Sequence, residues 1–210
     1  MDVIAQGQRR GSIIAPPPSG DGEGPGGGSP SSFPVSKAHL ATWILLTAVT
    51  MLFAGLSSAY IVLRGVPEWQ NITMPNLVWA NTVILLASSV AIEFARAAVR
   101  RNNAGGVKQW LAVSGILGIG FLVGQFAVWR HLVAAGVYLQ TNLHSSFFYV
   151  LTGAHAFHLA GGIVGLAVVL QKAFTNRLTA NNHEPLKVWG LYWHFMDFVW
   201  LYCFLMLLLA

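Results

Sequence analysis

Two pairs of ionisable side chains stand inside stretches apolar enough to cross a bilayer. His194 and Asp197 lie three residues apart in Tyr192-Trp193-His194-Phe195-Met196-Asp197-Phe198-Val199-Trp200, and His155 and His158 lie three apart in Gly153-Ala154-His155-Ala156-Phe157-His158. Positions i and i+3 share a helix side, and ionisable groups at such depth turn into a protein interior or a cavity. Three chemistries compete for them. The imidazoles have the nitrogen type of metal or haem ligands, but Tyr192, Trp193 and Trp200 leave little room for a porphyrin. His and Asp are also the materials of proton relays, which need a polar route to both surfaces, and the third span offers little beyond Gln125. The remaining reading is a satisfied hydrogen-bond network, a polar lock between helices four and five. Residue physics alone favours the lock. The separated chain is then expected to bind no haem, and a stoichiometric Soret band from it would overturn that expectation.

The elements that carry these pairs follow from where charge is missing. The 210-residue chain is 55% hydrophobic and only 9% charged, with a mean hydropathy of +0.58. An ordinary soluble domain has about 25% charged residues. No Asp, Glu, Lys or Arg occurs in 38–63, 69–92, 109–129 or 131–171, and 188–210 holds only Asp197. About 20 apolar residues span a bilayer core, so the blocks predict five helices over about 39–63, 75–99, 108–130, 146–170 and 187–209. Continuous apolar runs exclude a β-barrel, whose strands alternate. The fold expected is all-α, a polytopic bundle of five transmembrane helices.

Charge placement orients it. Arg9, Arg10, Lys37, Arg96, Arg100, Arg101, Lys108, Lys172, Arg177 and Lys187 would lie on one side, against only Arg64 and Arg130 on the other. The positive-inside rule then puts the N-terminus in the cytoplasm and the C-terminus in the periplasm. Depth arithmetic sets His158 and Asp197 near the midplane and His194 about 6 Å further in, so a His–Asp contact between helices four and five is expected.

Other features read more plainly. Residues 1–36, rich in Gly, Pro and Ser, are expected to be a disordered cytoplasmic tail. Arg9-Arg10 is followed by too short an apolar run for a signal peptide. Asn71-Ile72-Thr73 is a chance-level glycosylation pattern, and the lone Cys203 is expected as a buried thiol. Glu93 and Arg96 read as a local ion pair near the inner end of helix two, within snorkelling reach. Gly120 and Gly124, and likewise Gly161 and Gly165, have the four-residue spacing that lets helices approach closely.

Taken together, the chain resembles subunit III of the haem–copper terminal oxidases. The resemblance is carried by Leu191 through Leu201, by Phe148 through His158, and more weakly by Asn81 with Leu86 through Ser89 and Met51 through Gly55 with Tyr60. It covers about residues 37–210 and fits the short bacterial five-helix form, a multi-pass protein of the inner membrane. It implies a non-catalytic subunit that binds the catalytic subunit I and subunit II laterally, stabilises the active state and supports proton uptake. It also implies no haem or copper in this chain, haem and copper in the partner subunits, and a lipid-filled cleft with structural phospholipid. No nucleic acid is expected. Tyr192, Trp193 and Trp200 would pack or line lipid contacts.

The sequence departs from the family at Val49, where a buried glutamate is usual, and at Lys187, where many relatives have one. The electron donor is read by other subunits, so subunit III of a quinol oxidase is the alternative. A free-standing proton-coupled carrier would use the same His/Asp cluster, although no internal repeat supports it.

Overall fold

The computed structural model describes residues 37–67, 69, 74–178 and 183–209. The expected tail at 1–36 and the Asn71-Ile72-Thr73 pattern lie outside these residues. Among the described residues all regular structure is helical: α1 (Lys37–Leu63), α2 (Leu77–Arg100), α3 (Ala104–Ala134), α4 (Leu143–Phe174) and α5 (Glu184–Leu208). All five are long and apolar enough to cross a membrane.

α3 and α4 extend beyond the expected spans, 108–130 and 146–170, at both ends. The ends are fixed by polar caps, and Lys108, Arg130 and Lys172 ride within the terminal turns, where long basic side chains reach water. The Asn103 side chain accepts from Gly106 N at 2.9 Å and starts α3. A reciprocal cap starts α4: Asn142 Oδ1 accepts from Ser145 N at 2.8 Å, and Ser145 Oγ accepts from Asn142 N at 3.1 Å. Each such bond satisfies an N–H that the helix itself leaves orphaned. Between α2 and α3 only Arg101, Asn102 and Asn103 intervene, with Asn102 in the left-handed region at φ 52°. Asn tolerates that conformation, so the chain reverses at once and α2 and α3 run antiparallel in the most extensive helix pairing of the bundle.

α3 packs on α4, α4 on α5, and α5 closes back on α2. α1 touches only α4 and α5. The exterior is apolar, unlike that of a protein in water, and polar side chains are found in the interior beside the hydrophobic core. Phe157, Met51, Val62 and Ile116 are among the most exposed side chains, whereas Ser88, Ser114, Ser145 and His155 are completely buried. Such an exterior is stable only against lipid or a partner.

Small residues set the closest approaches. A Cβ at Gly124 would overlap the Asn81 amide, and one at Gly118 would lie 2.7 Å from Trp193 Cη2. Gly165 faces Trp189, and Gly162 faces Tyr192 and Trp193. The expected glycine pairs are therefore used unevenly. Gly120 meets only an Ile84 methyl at 3.9 Å, and Gly161 has nothing within 4 Å. The contact surface on α4 turns by one position, to Gly162 and Gly165, and leaves Gly161 on a cleft. That cleft, of about 580 Å³, lies between α1, α4 and α5 and is lined by Thr42, Leu45, Phe157, His158, Gly161 and Trp189 among others.

Candidate functional site

A seam of polar groups runs along α2 and receives side chains from α3 and α5. At one end Asn81 Nδ2 donates to Gln125 Oε1 at 3.4 Å. Beside it, Thr82 Oγ1 accepts from Trp200 Nε1 at 3.0 Å. Two turns further along, Ser88 Oγ accepts from Trp193 Nε1, also at 3.0 Å. Both hydroxyls donate to their own helix, Thr82 to Val78 O at 2.9 Å and Ser88 to Leu85 O at 2.6 Å. Two of the three buried indoles of α5, Trp193 and Trp200, are thus fastened to α2 by bonds that satisfy donor and acceptor together. A buried Trp N–H left without a partner would cost about 1–3 kcal/mol.

The neighbouring Ser89 gathers the ionisable groups. Its hydroxyl donates to Asp197 Oδ2. With its single proton committed there, Ser89 Oγ acts as acceptor toward His194 Nδ1 at 3.0 Å. His194 Nε2 lies 2.8 Å from Glu93 Oε1, and Arg96 Nη1 lies 2.5 Å from the same oxygen. Arg96 also donates to Lys187 O at 3.4 Å, with its guanidinium laid over Gly190. The pairing of Glu93 with Arg96 is present as the sequence suggests, but the carboxylate also reaches across to α5.

The four residues expected as a polar lock do not meet at one point. His194 and Asp197 stay together, with His194 Nδ1 and Asp197 Oδ2 3.9 Å apart, and both face α2. His155 is completely buried against Phe121 and Trp200, its ring 5.0 Å from the Trp200 ring. Neither His155 nitrogen has a hydrogen-bond partner among the described residues. His158 turns toward α1: its ring lies 5.9 Å from Phe53, its Nδ1 sits 2.7 Å from Ala154 O, and it lines the cleft. Instead of meeting His158 across α4 and α5, Asp197 is held by Ser89 of α2. The geometry of i and i+3 explains the divergence, because the two positions differ by about 60° around the helix. α4 and α5 are joined otherwise, by Tyr192 Oη donating to His158 O and Trp189 Nε1 donating to Gly162 O, both at 2.8 Å.

Asn81, Ser88 and Ser89 stand out in sequence only as polar groups of helix two within a weaker family motif, and Thr82 not at all; none of the four is among the expected site residues. Their signal is a repeat: Asn81-Thr82 and Ser88-Ser89 are seven residues apart, close to two turns, so Asn81 lines up with Ser88 and Thr82 with Ser89. Among the described residues no group of three or more His, Cys, Asp or Glu is placed to hold a metal ion.

An exterior built for lipid and an interior stitched by indole, hydroxyl and carboxylate define a polytopic α-helical membrane protein. Comparison with known proteins makes the class specific. The model of the cytochrome c oxidase subunit III family matches residues 63–209, and the chain belongs to that family. It is 34% identical over 172 residues to cytochrome c oxidase subunit 3 of Synechocystis sp., covering 79% of this chain and 72% of the relative. Its identity to cytochrome c oxidase subunit 3 of Corynebacterium diphtheriae is 32% over 178 residues, covering 81% and 86%. Cytochrome bo(3) ubiquinol oxidase subunit 3 of Pseudomonas putida is 31% identical over 169 residues, covering 79% and 82%. The chain is a multi-pass protein of a bacterial membrane.

Proposed function

We propose that this chain is the non-catalytic third subunit of a haem–copper respiratory oxidase that reduces oxygen to water. In this role it holds the catalytic subunit in a durable active state and supports its proton uptake. The observation that carries the reading is the family match over 63–209, which takes in the end of α1 and all of α2 to α5. Haem and copper belong to the partner subunits, the catalytic subunit I and subunit II. The cleft between α1, α4 and α5 takes structural phospholipid, for which an apolar lining open to the membrane is suited. The excess of Lys and Arg on one side orients the N-terminus to the cytoplasm and the C-terminus to the periplasm.

The test is purification from native membranes in mild detergent through a C-terminal tag. A haem–copper catalytic subunit recovered at equal stoichiometry supports the reading. Recovery of this chain alone would turn attention to a free-standing carrier. A second reading, subunit III of a quinol oxidase, is favoured by the Pseudomonas putida relative. The accompanying donor-binding chain decides between the two donors.

Within that complex we propose His194 and Asp197 as the polar fastening of α5 to α2, with His155 and His158 serving α4. Replacing Asp197 by leucine removes the acceptor of the Ser89 hydroxyl and leaves His194 beside an apolar group. Less of this chain is then expected to stay with the catalytic subunit during purification. Unchanged assembly, stability and activity in that variant would refute the fastening.

A further inference from the structure

The hydrogen-bonded series along α2 and α5 has a property that a fastening alone does not require. It is unbroken from Glu93 through His194 and Ser89 to Asp197, and every member can both give and take a proton. Its two ends differ. The Glu93 side chain is 51% exposed and lines a cavity of about 440 Å³, together with Arg96, Arg100, His183, Leu186 and Lys187. The Asp197 side chain is 7% exposed, and its Oδ1 has no hydrogen-bond partner among the described residues.

The geometry also fixes the proton inventory. Ser89 donates to Asp197, so His194 Nδ1 carries the hydrogen between them. A neutral imidazole would then face Glu93 with a bare Nε2, and two lone pairs cannot form the 2.8 Å contact. One further proton must sit between Glu93 and His194, either on the carboxyl or on the ring. The series is loaded at its open end.

We propose that Glu93, His194, Ser89 and Asp197 form a one-ended proton store, filled from the cavity and ending on the buried carboxylate. In the filling step the proton between Glu93 and His194 is held on Nε2, because Arg96 pairs with the same Glu93 oxygen. The Nδ1 proton passes to Ser89 Oγ, and the Ser89 hydroxyl proton passes to Asp197 Oδ2. Glu93 stays a carboxylate, the imidazolium becomes the neutral Nε2–H ring, the hydroxyl is regenerated and Asp197 becomes neutral. A relay through the membrane would need a second exit and a way to turn the ring back. A store needs neither, because discharge retraces the steps and restores the imidazolium. Arg96 holds Glu93 in reach, and Arg100 and Lys187 line the same cavity. The chemistry stands on this chain's own residues; only its use in proton supply rests on the oxidase reading.

The experiment is a pH jump on the purified complex, followed by the infrared carbonyl stretch of protonated carboxyl groups. A band absent from Asp197→Asn is expected in the native protein. In Ser89→Ala and His194→Asn the Asp197 band is expected to keep its amplitude but to rise at least about 100-fold more slowly, the range set by a positioned proton-transfer group. Ser89→Thr, which keeps the hydroxyl, is expected to restore the rate. The store is refuted if Asp197→Asn removes no band, or if neither Ser89→Ala nor His194→Asn slows it. Because the signal belongs to this chain, loss of the catalytic subunit from the sample would count against the oxidase reading and not against the store.

Discussion

Replacing Trp193 by alanine is expected to destabilise the bundle by about 3–5 kcal/mol, the range for truncating a buried Trp. Trp193 is completely buried where three helices converge on α5. Its six-membered ring lies against Gly118 of α3 and Gly162 of α4, its N–H reaches Ser88 of α2, and the ring of Trp189 packs 5.2 Å away. No neighbour is placed to fill the space by changing rotamer, since two of those surfaces are glycine backbone. Thermal unfolding of the detergent-solubilised complex is the measurement, with the amount of this chain retained as a second readout. A shift no larger than that of an exposed control such as Phe198→Ala would show that Trp193 is not the central packing element.

The converse substitution, Gly118→Val, is expected to cost about 1–3 kcal/mol through overpacking. A Cβ there would stand 2.7 Å from Trp193 Cη2 and 3.0 Å from Cζ2. Retreat of the indole would strain its 3.0 Å bond to Ser88 and press it on the Trp189 ring 5.2 Å away. Combining Gly118→Val with Trp193→Leu puts the added methyls where ring atoms have been removed. The double variant is therefore expected to be more stable than the sum of the single losses by about 0.5–3 kcal/mol. Strict additivity in the same unfolding measurement would mean that the two residues do not share one space.

The five spans are legible because charge is so costly in lipid that its absence marks each helix. Their ends are less legible, for a physical reason. Asn103 and Asn142 terminate helices by bonding to backbone, and a polar residue at such a border looks the same whether it caps a helix or lies in a loop. The ionisable residues stand out in sequence, but their partners do not. Ser88 and Ser89 are small and common in membrane helices, and only a Trp N–H or a carboxylate aimed at them from α5 shows their role. Glu93 illustrates the limit of local spacing: Arg96 at i+3 accounts for its charge completely, so nothing in α2 itself points to His194. The two histidines of α4 show the opposite error. Shared spacing suggests a shared environment, yet a rotation of about 60° is enough to place His155 in the core and His158 on the cleft.

The attachment of α1 has a consequence for how the protein is made. Synthesis delivers α1 to the membrane before α2 to α5, but its helix partners among the described residues are α4 and α5, which emerge after the α2–α3 hairpin. α2 and α3 are joined by three residues and can pair as soon as both are inserted, since local contacts form before distant ones. α1 must therefore wait as a lone helix in lipid while the hairpin forms and α4 and α5 join it. Chains arrested before α5 are expected to hold a paired α2 and α3 with α1 still undocked, open to whatever insertion factor shields it. The cleft and the docking of α1 are thus completed only once α5 has entered the membrane.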